Sequence, residues 1–172
     1  MKIWFPLSFS FILALILDGV TKIWAEQTLA LHEPVVVFGE YFRFTLGYNT
    51  GVAFGMFANG GQWPLIVTGL VILGLMVWLL NGLRNGDFPP AAVWPMGFLL
   101  GGATANFIDR FGDGRVTDFL DAGWGMTRWP TFNIADSFIV VAMVILMFFS
   151  LTPPPPNEQT EEFVPNGQTS TN

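Results

Sequence analysis

Four stretches of mostly apolar residues divide the chain: Ile3 to Ala25, Trp63 to Leu83, Pro90 to about Ile108, and Phe132 to Leu151. A helix needs about 20 such residues to cross a bilayer core, so each stretch is expected to be a transmembrane span. No other feature limits the possible folds as severely, because in lipid the backbone polar groups must be satisfied within the spanning structure itself. Composition agrees. Of 172 residues, 52% are hydrophobic and 12% charged, a balance unusual for a soluble domain. The first stretch has the outline of a signal peptide, with Met1-Lys2 before the apolar run Ile3–Leu17. Asp18 and Lys22 follow that run, no A-x-A site appears, and Ile23-Trp24-Ala25 resume the apolar pattern, so it reads as a retained span.

The expected fold is a mainly α membrane protein, with one domain over residues 1–151 containing four transmembrane helices. An even number of spans puts both termini on one side and segments 26–62 and 109–131 on the other. VVVFGEYFRFTLGYN, at 35–49, is rich in Val, Phe, Tyr and Thr around a central Gly-Glu, which suggests a small hairpin or sheet on the membrane surface. Segment 84–89, RNGDFP, is a tight turn between spans. Residues 152–172 are Pro-rich, polar and acidic, and are expected to be a disordered tail without chemistry. Lys2 and Arg84 lie on the side of the termini, and Arg43, Arg110, Arg115 and Arg128 on the other. Counted alone, those charges place the termini outside.

Composition also removes function classes. A net charge of −6, with seven scattered Lys and Arg residues, offers no basic surface for nucleic acid. The absence of cysteine excludes thiolate catalysis and Cys-based metal sites. His32 is the only histidine, which rules out a multi-His zinc site and leaves a Ser-His-Asp triad possible only through it.

Ionisable residues inside spans are costly and point to function. Asp18 and Lys22 are four apart on one face of the first span. They can pair, either as a clamp between helices or as part of a site. The third span ends in GGATANFIDR, at 101–110, where Gly101, Gly102, Ala103 and Ala105 allow close helix approach. Asn106 and Asp109 share a face. Asp109 adjoins Arg110 and reads as a structural anion held by that guanidinium. Asp118, in a loop, and Asp136, in the first turns of the fourth span, have no cation beside them in sequence. Two carboxyls brought together cannot both ionise cheaply and share a proton, as in the aspartic-protease dyad. From the residues alone, an N-cap or loop-ordering role and a carboxylate metal site remain open for both.

DGVTK at 18–22, YNTGVAFG at 48–55, GGATANFIDR at 101–110, VTDFLD at 116–121 and FNIADS at 132–137 together resemble the ordered motif set of the lipoprotein signal peptidase family, signal peptidase II. The chain after Leu151 is outside the match. The resemblance implies a four-helix aspartyl protease of the bacterial cytoplasmic (inner) membrane, with cytoplasmic termini and a small extracytoplasmic β-sheet, the cradle. This orientation overrides the charge count. It implies removal of the signal peptide from diacylglyceryl-modified prolipoproteins just before the lipidated cysteine, by water activated between two aspartates. No metal or other cofactor is expected. Carried over motif by motif, the catalytic pair falls on Asp118 and Asp136, with Asp109 as the rival to Asp118. Asp18, Lys22, Asn49, Gly51, Asn106, Asp109, Arg110 and Asn133 match supporting or substrate-binding positions. The implied partners are the prolipoprotein and membrane lipids, and a monomer is expected. The chain departs from the family pattern at Val52, which adds bulk, and at Ala105, which replaces a glycine.

Trp63, Trp124 and Trp129 suit an interfacial belt. Three other functions are compatible with parts of the pattern. One is a small transporter or ion-conducting protein using Asp18, Asp109 and Asp136. Another is a lipid transferase holding Mg²⁺ between Asp109 and Asp121. The last is an inactive family member serving as a chaperone.

Overall fold

The structure, a computed structural model, describes residues 3–51, 56, 61–86 and 88–151. The tail 152–172 and the departure at Val52 therefore lie outside the described residues. Three long helices and one shorter one carry an open sheet. In chain order the elements are α1 (Trp4–Thr28), β1 (Val35–Phe38), β2 (Phe42–Asn49), α2 (Trp63–Asn85), α3 (Val93–Asp113), β3 (Val116–Trp124), β4 (Thr127–Arg128) and α4 (Ile134–Leu151). A single 3-10 turn, Pro90–Ala92, leads into α3.

Helices α1 and α2 and the segment Pro90–Asp113 are long and apolar enough to cross a membrane. The fourth expected span is shorter. Helix α4 has 18 residues, or about 27 Å at the usual helical rise, and its apolar portion is Ile134–Phe149. It starts at Ile134 because Phe132, counted in the expected span, pairs with β3 instead. Length and composition thus identify three crossings in a multi-pass membrane protein, where four were expected.

Helix α3 packs against α1, α4 and α2. Two thirds of its apolar window (67%) is buried, against 17% for α1 and 11% for α2. The outer two expose Ile12, Ile16, Leu70 and Leu73, which is the surface of a helix facing lipid. The small residues of α3 set the approach. A Cβ on Gly101 would lie 2.6 Å from the Phe11 carbonyl oxygen of α1, and one on Gly102 would lie 2.7 Å from the Ala135 carbonyl oxygen of α4. Backbone meets backbone at both places, so neither tolerates a methyl without movement. Ala105 is buried in the same helix.

The sheet runs β1-β2-β3-β4, every neighbour antiparallel. Sequence reading anticipated β1 and β2, whereas β3 falls in a segment read as a loop carrying Asp118. Val116 through Asp121 are all buried, so no alternation of polar and apolar residues marks this strand. Asp109 and Arg110 likewise belong to α3 itself. The sheet rests on the last turns of α1. Ala25 joins Leu46, Phe119 and Leu120 in a buried cluster, and the Trp24 ring meets Phe44 and Phe119 edge-on at 5.1 and 6.0 Å. Phe132 then ties the entry of α4 to β3. Its N–H donates to the Leu120 carbonyl at 3.0 Å, and the Leu120 N–H returns a 2.8 Å bond. That tie brings Asn133 beside Asp118.

Candidate active site

Asp118 stands on β3 opposite Gly47 of β2 and is 2% exposed. Asp136 lies in the first turn of α4. Asn133, fully buried, connects them. Its Nδ2 donates to Asp118 Oδ1 at 2.8 Å. Its backbone N–H donates to Asp136 Oδ2 at 3.2 Å, while its Oδ1 accepts from the Asp136 N–H at 2.9 Å. The last two bonds form a reciprocal cap on α4, with a carboxylate at the third helical position reaching back to the cap residue.

A second layer lies on α1 and α3. Asn106 Nδ2 donates to the other Asp136 oxygen at 2.8 Å, and Asn106 Oδ1 accepts from Asn133 Nδ2 and from Lys22 Nζ, both at 3.1 Å. Lys22 is paired with Asp18 at 2.5 Å and with Asp109 at 2.6 Å. The expected Asp18–Lys22 pair is therefore present. Asp18 also does something its sequence position does not suggest: its Oδ1 accepts the Ala135 N–H at 2.8 Å, holding the first turn of α4 from a helix over a hundred residues away.

Asp109 has a different partner from the one its neighbour suggested. Its carboxylate meets Lys22, while Arg110 points elsewhere. Consecutive residues on a helix face different directions, and only those three or four apart are neighbours. Arg110 instead grips the Gly51 carbonyl through Nε at 3.1 Å and Nη2 at 2.6 Å, and the Asn106 carbonyl through Nη1 at 3.1 Å. Asn49 Oδ1 accepts the Gly51 N–H at 2.9 Å. Asn49, Gly51 and Arg110 thus form one backbone clasp between β2 and α3.

Asp109 and Asp121 are held by different cations, Asp109 by Lys22. Asp121 is held by Arg128 at 2.8 Å, Thr45 at 2.9 Å and Arg43 at 3.2 Å. Among the described residues no group of three or more His, Cys, Asp and Glu side chains is placed to hold a metal.

Burial pushes the Asp118 carboxyl up to about 7, and the negative charge of Asp136 adds to the rise. Hydrogen bonds from Asn133 and Asn49 and the charge of Lys22 oppose it. A carboxyl poised there can gain or lose a proton near neutrality, as a general acid or base requires.

Two clefts reach the aspartates. One, of about 1070 Å³, is bounded by Asp136 with Trp124, Arg128, Trp129, Phe132 and Val140. The other, of about 400 Å³, is bounded by Asp118 and the β2 segment. Sequence reading did not single out Phe132 as a site residue, nor Glu26, whose Oε1 accepts the Thr117 hydroxyl at 2.6 Å beside Asp118. No local pattern points to them, because each contact is made across the fold.

A profile of the family described as signal peptidase (SPase) II matches residues 10–152. The chain belongs to the signal peptidase II family. Among its relatives, the lipoprotein signal peptidase of Pseudomonas fluorescens is 38% identical over 136 residues, covering 76% of this chain and 78% of that one. The lipoprotein signal peptidase of Gloeobacter violaceus is 42% identical over 125 residues, covering 73% and 69%. A solved bacterial membrane enzyme, determined by the in meso method, superposes with a TM-score of 0.70 at 25% identity, covering 85% of this chain and 92% of that one. As a signal peptidase II family member, the chain is a membrane aspartic peptidase.

Proposed function

We propose that Asp118 and Asp136 are the catalytic pair of this peptidase, and that its substrate is a diacylglyceryl-modified prolipoprotein cut just before the lipidated cysteine. The observation that carries the reading is Asn133, which hydrogen-bonds both carboxylates at once. The dyad holds water between its carboxyls. The ionised Asp136 takes a proton from the water as its oxygen attacks the scissile carbonyl carbon, and the protonated Asp118 donates to the carbonyl oxygen. The tetrahedral diol then collapses. The C–N bond breaks, the departing amine takes a proton from Asp136, and Asp118 recovers its own from the diol hydroxyl.

Placement supports this substrate. The dyad lies where the C-terminal ends of α1 and α3 and the N-terminal end of α4 meet the sheet, as expected for a scissile bond at the bilayer surface. Val140 and Val141, beside the apolar cleft, are more than half exposed, so acyl chains can remain in lipid while the peptide reaches Asp136. In this reading α4 is the fourth crossing, the termini are cytoplasmic, and the sheet and site face the extracytoplasmic side of the bacterial inner membrane.

The test is cleavage of a purified diacylglyceryl prolipoprotein by the purified protein, with and without EDTA. The expected result is a single cut before the modified cysteine, unaffected by chelation and lost in Asp136→Asn. Normal processing by that variant, or a loss on chelation restored by Mg²⁺ or Zn²⁺, would overturn the dyad.

A further inference from the structure

The two clefts share no lining residue and differ in chemistry. The one reaching Asp136 is walled by aromatic and aliphatic side chains, among them Trp124, Trp129 and Phe132. The one reaching Asp118 is walled by His32, Thr45, Tyr48, Asn49 and Thr131. Gly47 stands opposite Asp118 in the strand pair and puts no side chain between the carboxyl and this cleft.

His32 is set into the wall in an unusual way. Its φ is +63°, and it is the one non-glycine residue in the left-handed region among those described. Its N–H donates to the Leu46 carbonyl at 2.9 Å, beside the bridge between Leu31 and Leu46. Residues with side chains are disfavoured in this conformation and persist there when the surroundings impose it, which is common beside functional sites. The backbone that holds His32 also fixes where its exposed imidazole stands at the cleft.

We propose that the smaller cleft is the subsite for the residues that follow the lipidated cysteine, and that His32 and Thr131 select small polar or acidic side chains there. The inference rests on the prolipoprotein reading and adds a direction to it. A peptide whose scissile bond lies between two aspartates must leave the dyad on both sides. The apolar signal segment matches the aromatic cleft, which adjoins the exposed Val140 and Val141. The chain after the lipidated cysteine heads for water and matches the hydroxyls and imidazole. An apolar side chain placed there would forgo hydrogen bonds to the imidazole and hydroxyls and displace the water that serves them, which favours polar side chains by a modest factor.

The test uses diacylglyceryl lipopeptides with one signal sequence, differing only in the residue after the modified cysteine: Ser, Asp or Leu. The full-length protein should cleave the Ser and Asp peptides with a kcat/KM about tenfold above that of the Leu peptide. His32→Gly, which suits the left-handed backbone and removes only the imidazole, should bring the three rates together, as should Thr131→Val in part. His32→Asn, which tolerates the backbone and keeps a polar group, should retain part of the preference. Val140→Trp, which narrows the apolar cleft, should slow all three peptides equally. An unchanged preference in His32→Gly, or a preference altered by Val140→Trp instead, overturns the subsite while leaving the prolipoprotein reading intact. Failure of the folded wild-type protein to cleave any of the three overturns both.

Discussion

Asn133 and Asp118 are joined by a 2.8 Å hydrogen bond from amide to carboxylate, although one heads a helix and the other sits in a strand. The same asparagine caps the helix that carries Asp136, so its fold role and its site role can be separated by substitution. Asn133→Asp keeps an acceptor at the cap but loses the donor to Asp118 and adds a third carboxyl. It should remain folded and lose cleavage by a factor of about 100 or more. Asn133→Ala loses the cap as well and should cost a further 0.5–2 kcal/mol or so. Thermal unfolding in detergent and single-turnover cleavage, measured on both variants, check this. An active Asn133→Asp protein would argue against a role for this residue in the site.

Asp118 should be a liability for stability. An unfolded aspartate titrates near 3.9 and the folded Asp118 near 7, so folding favours its neutral form. The associated stability is fully present below the unfolded value and is lost as pH rises through about 7. At pH 8 the cost is at most about 4 kcal/mol. Asp118→Asn should therefore melt higher than wild type at pH 8, with little difference at pH 4, while failing to cleave. Because the proposed mechanism needs Asp118 protonated, wild-type kcat/KM should also fall above about pH 7. Melting curves at the two pH values and a pH–rate profile decide both points.

Asp18 holds Lys22 and the Ala135 amide from one buried carboxylate. Removing one member of a buried pair is strongly destabilising, and here Asp109 remains to hold Lys22. Asp18→Ala should lose about 3 kcal/mol and lose activity in parallel. Asp18→Asn, which can still accept from Ala135, should lose less of both. Unchanged melting with lost cleavage would place Asp18 in the chemistry.

Asp109 and Asp118 should separate in a paired experiment. Asp109 is held by Lys22, whereas Asn106 and Asn133 are the residues bonded to the proposed dyad carboxyls, so Asp109→Asn should lower stability or binding and still cleave. Asp118→Asn should bind a transition-state-like inhibitor and not cleave. The opposite pattern, read from inhibitor affinity and single-turnover rates, would make Asp109 the partner of Asp136.

Gly102 sets the distance between α3 and the first turn of α4. In Gly102→Ala the new methyl would meet the Ala135 carbonyl at 2.7 Å, so α4 must shift. Overpacking of this kind costs about 1–3 kcal/mol, and the shift carries Asp136 with it. The expected outcome is a lower melting temperature with a fall in kcat larger than any rise in KM. Full activity would mean that the site tolerates movement of α4.

The sequence alone determined what depends on local order. Three membrane helices were legible because spanning requires a long apolar run, and the Asp18–Lys22 pair because residues four apart meet on a helix. The five motif blocks identified the family because their order along the chain is itself the signal. Tertiary structure decided what depends on distant segments meeting. It gave Asp109 to Lys22 in place of Arg110, placed Asp118 in a strand buried over most of its length, and shortened α4 by pairing Phe132 with Leu120. It also made Asn133 the link between two carboxylates, through contacts among β3, α3 and α4. Periodicity records which face of an element is apolar. Which polar groups converge follows from how closely backbones approach, here at Gly101 and Gly102, and from strand register, and neither is a property of any single stretch of chain.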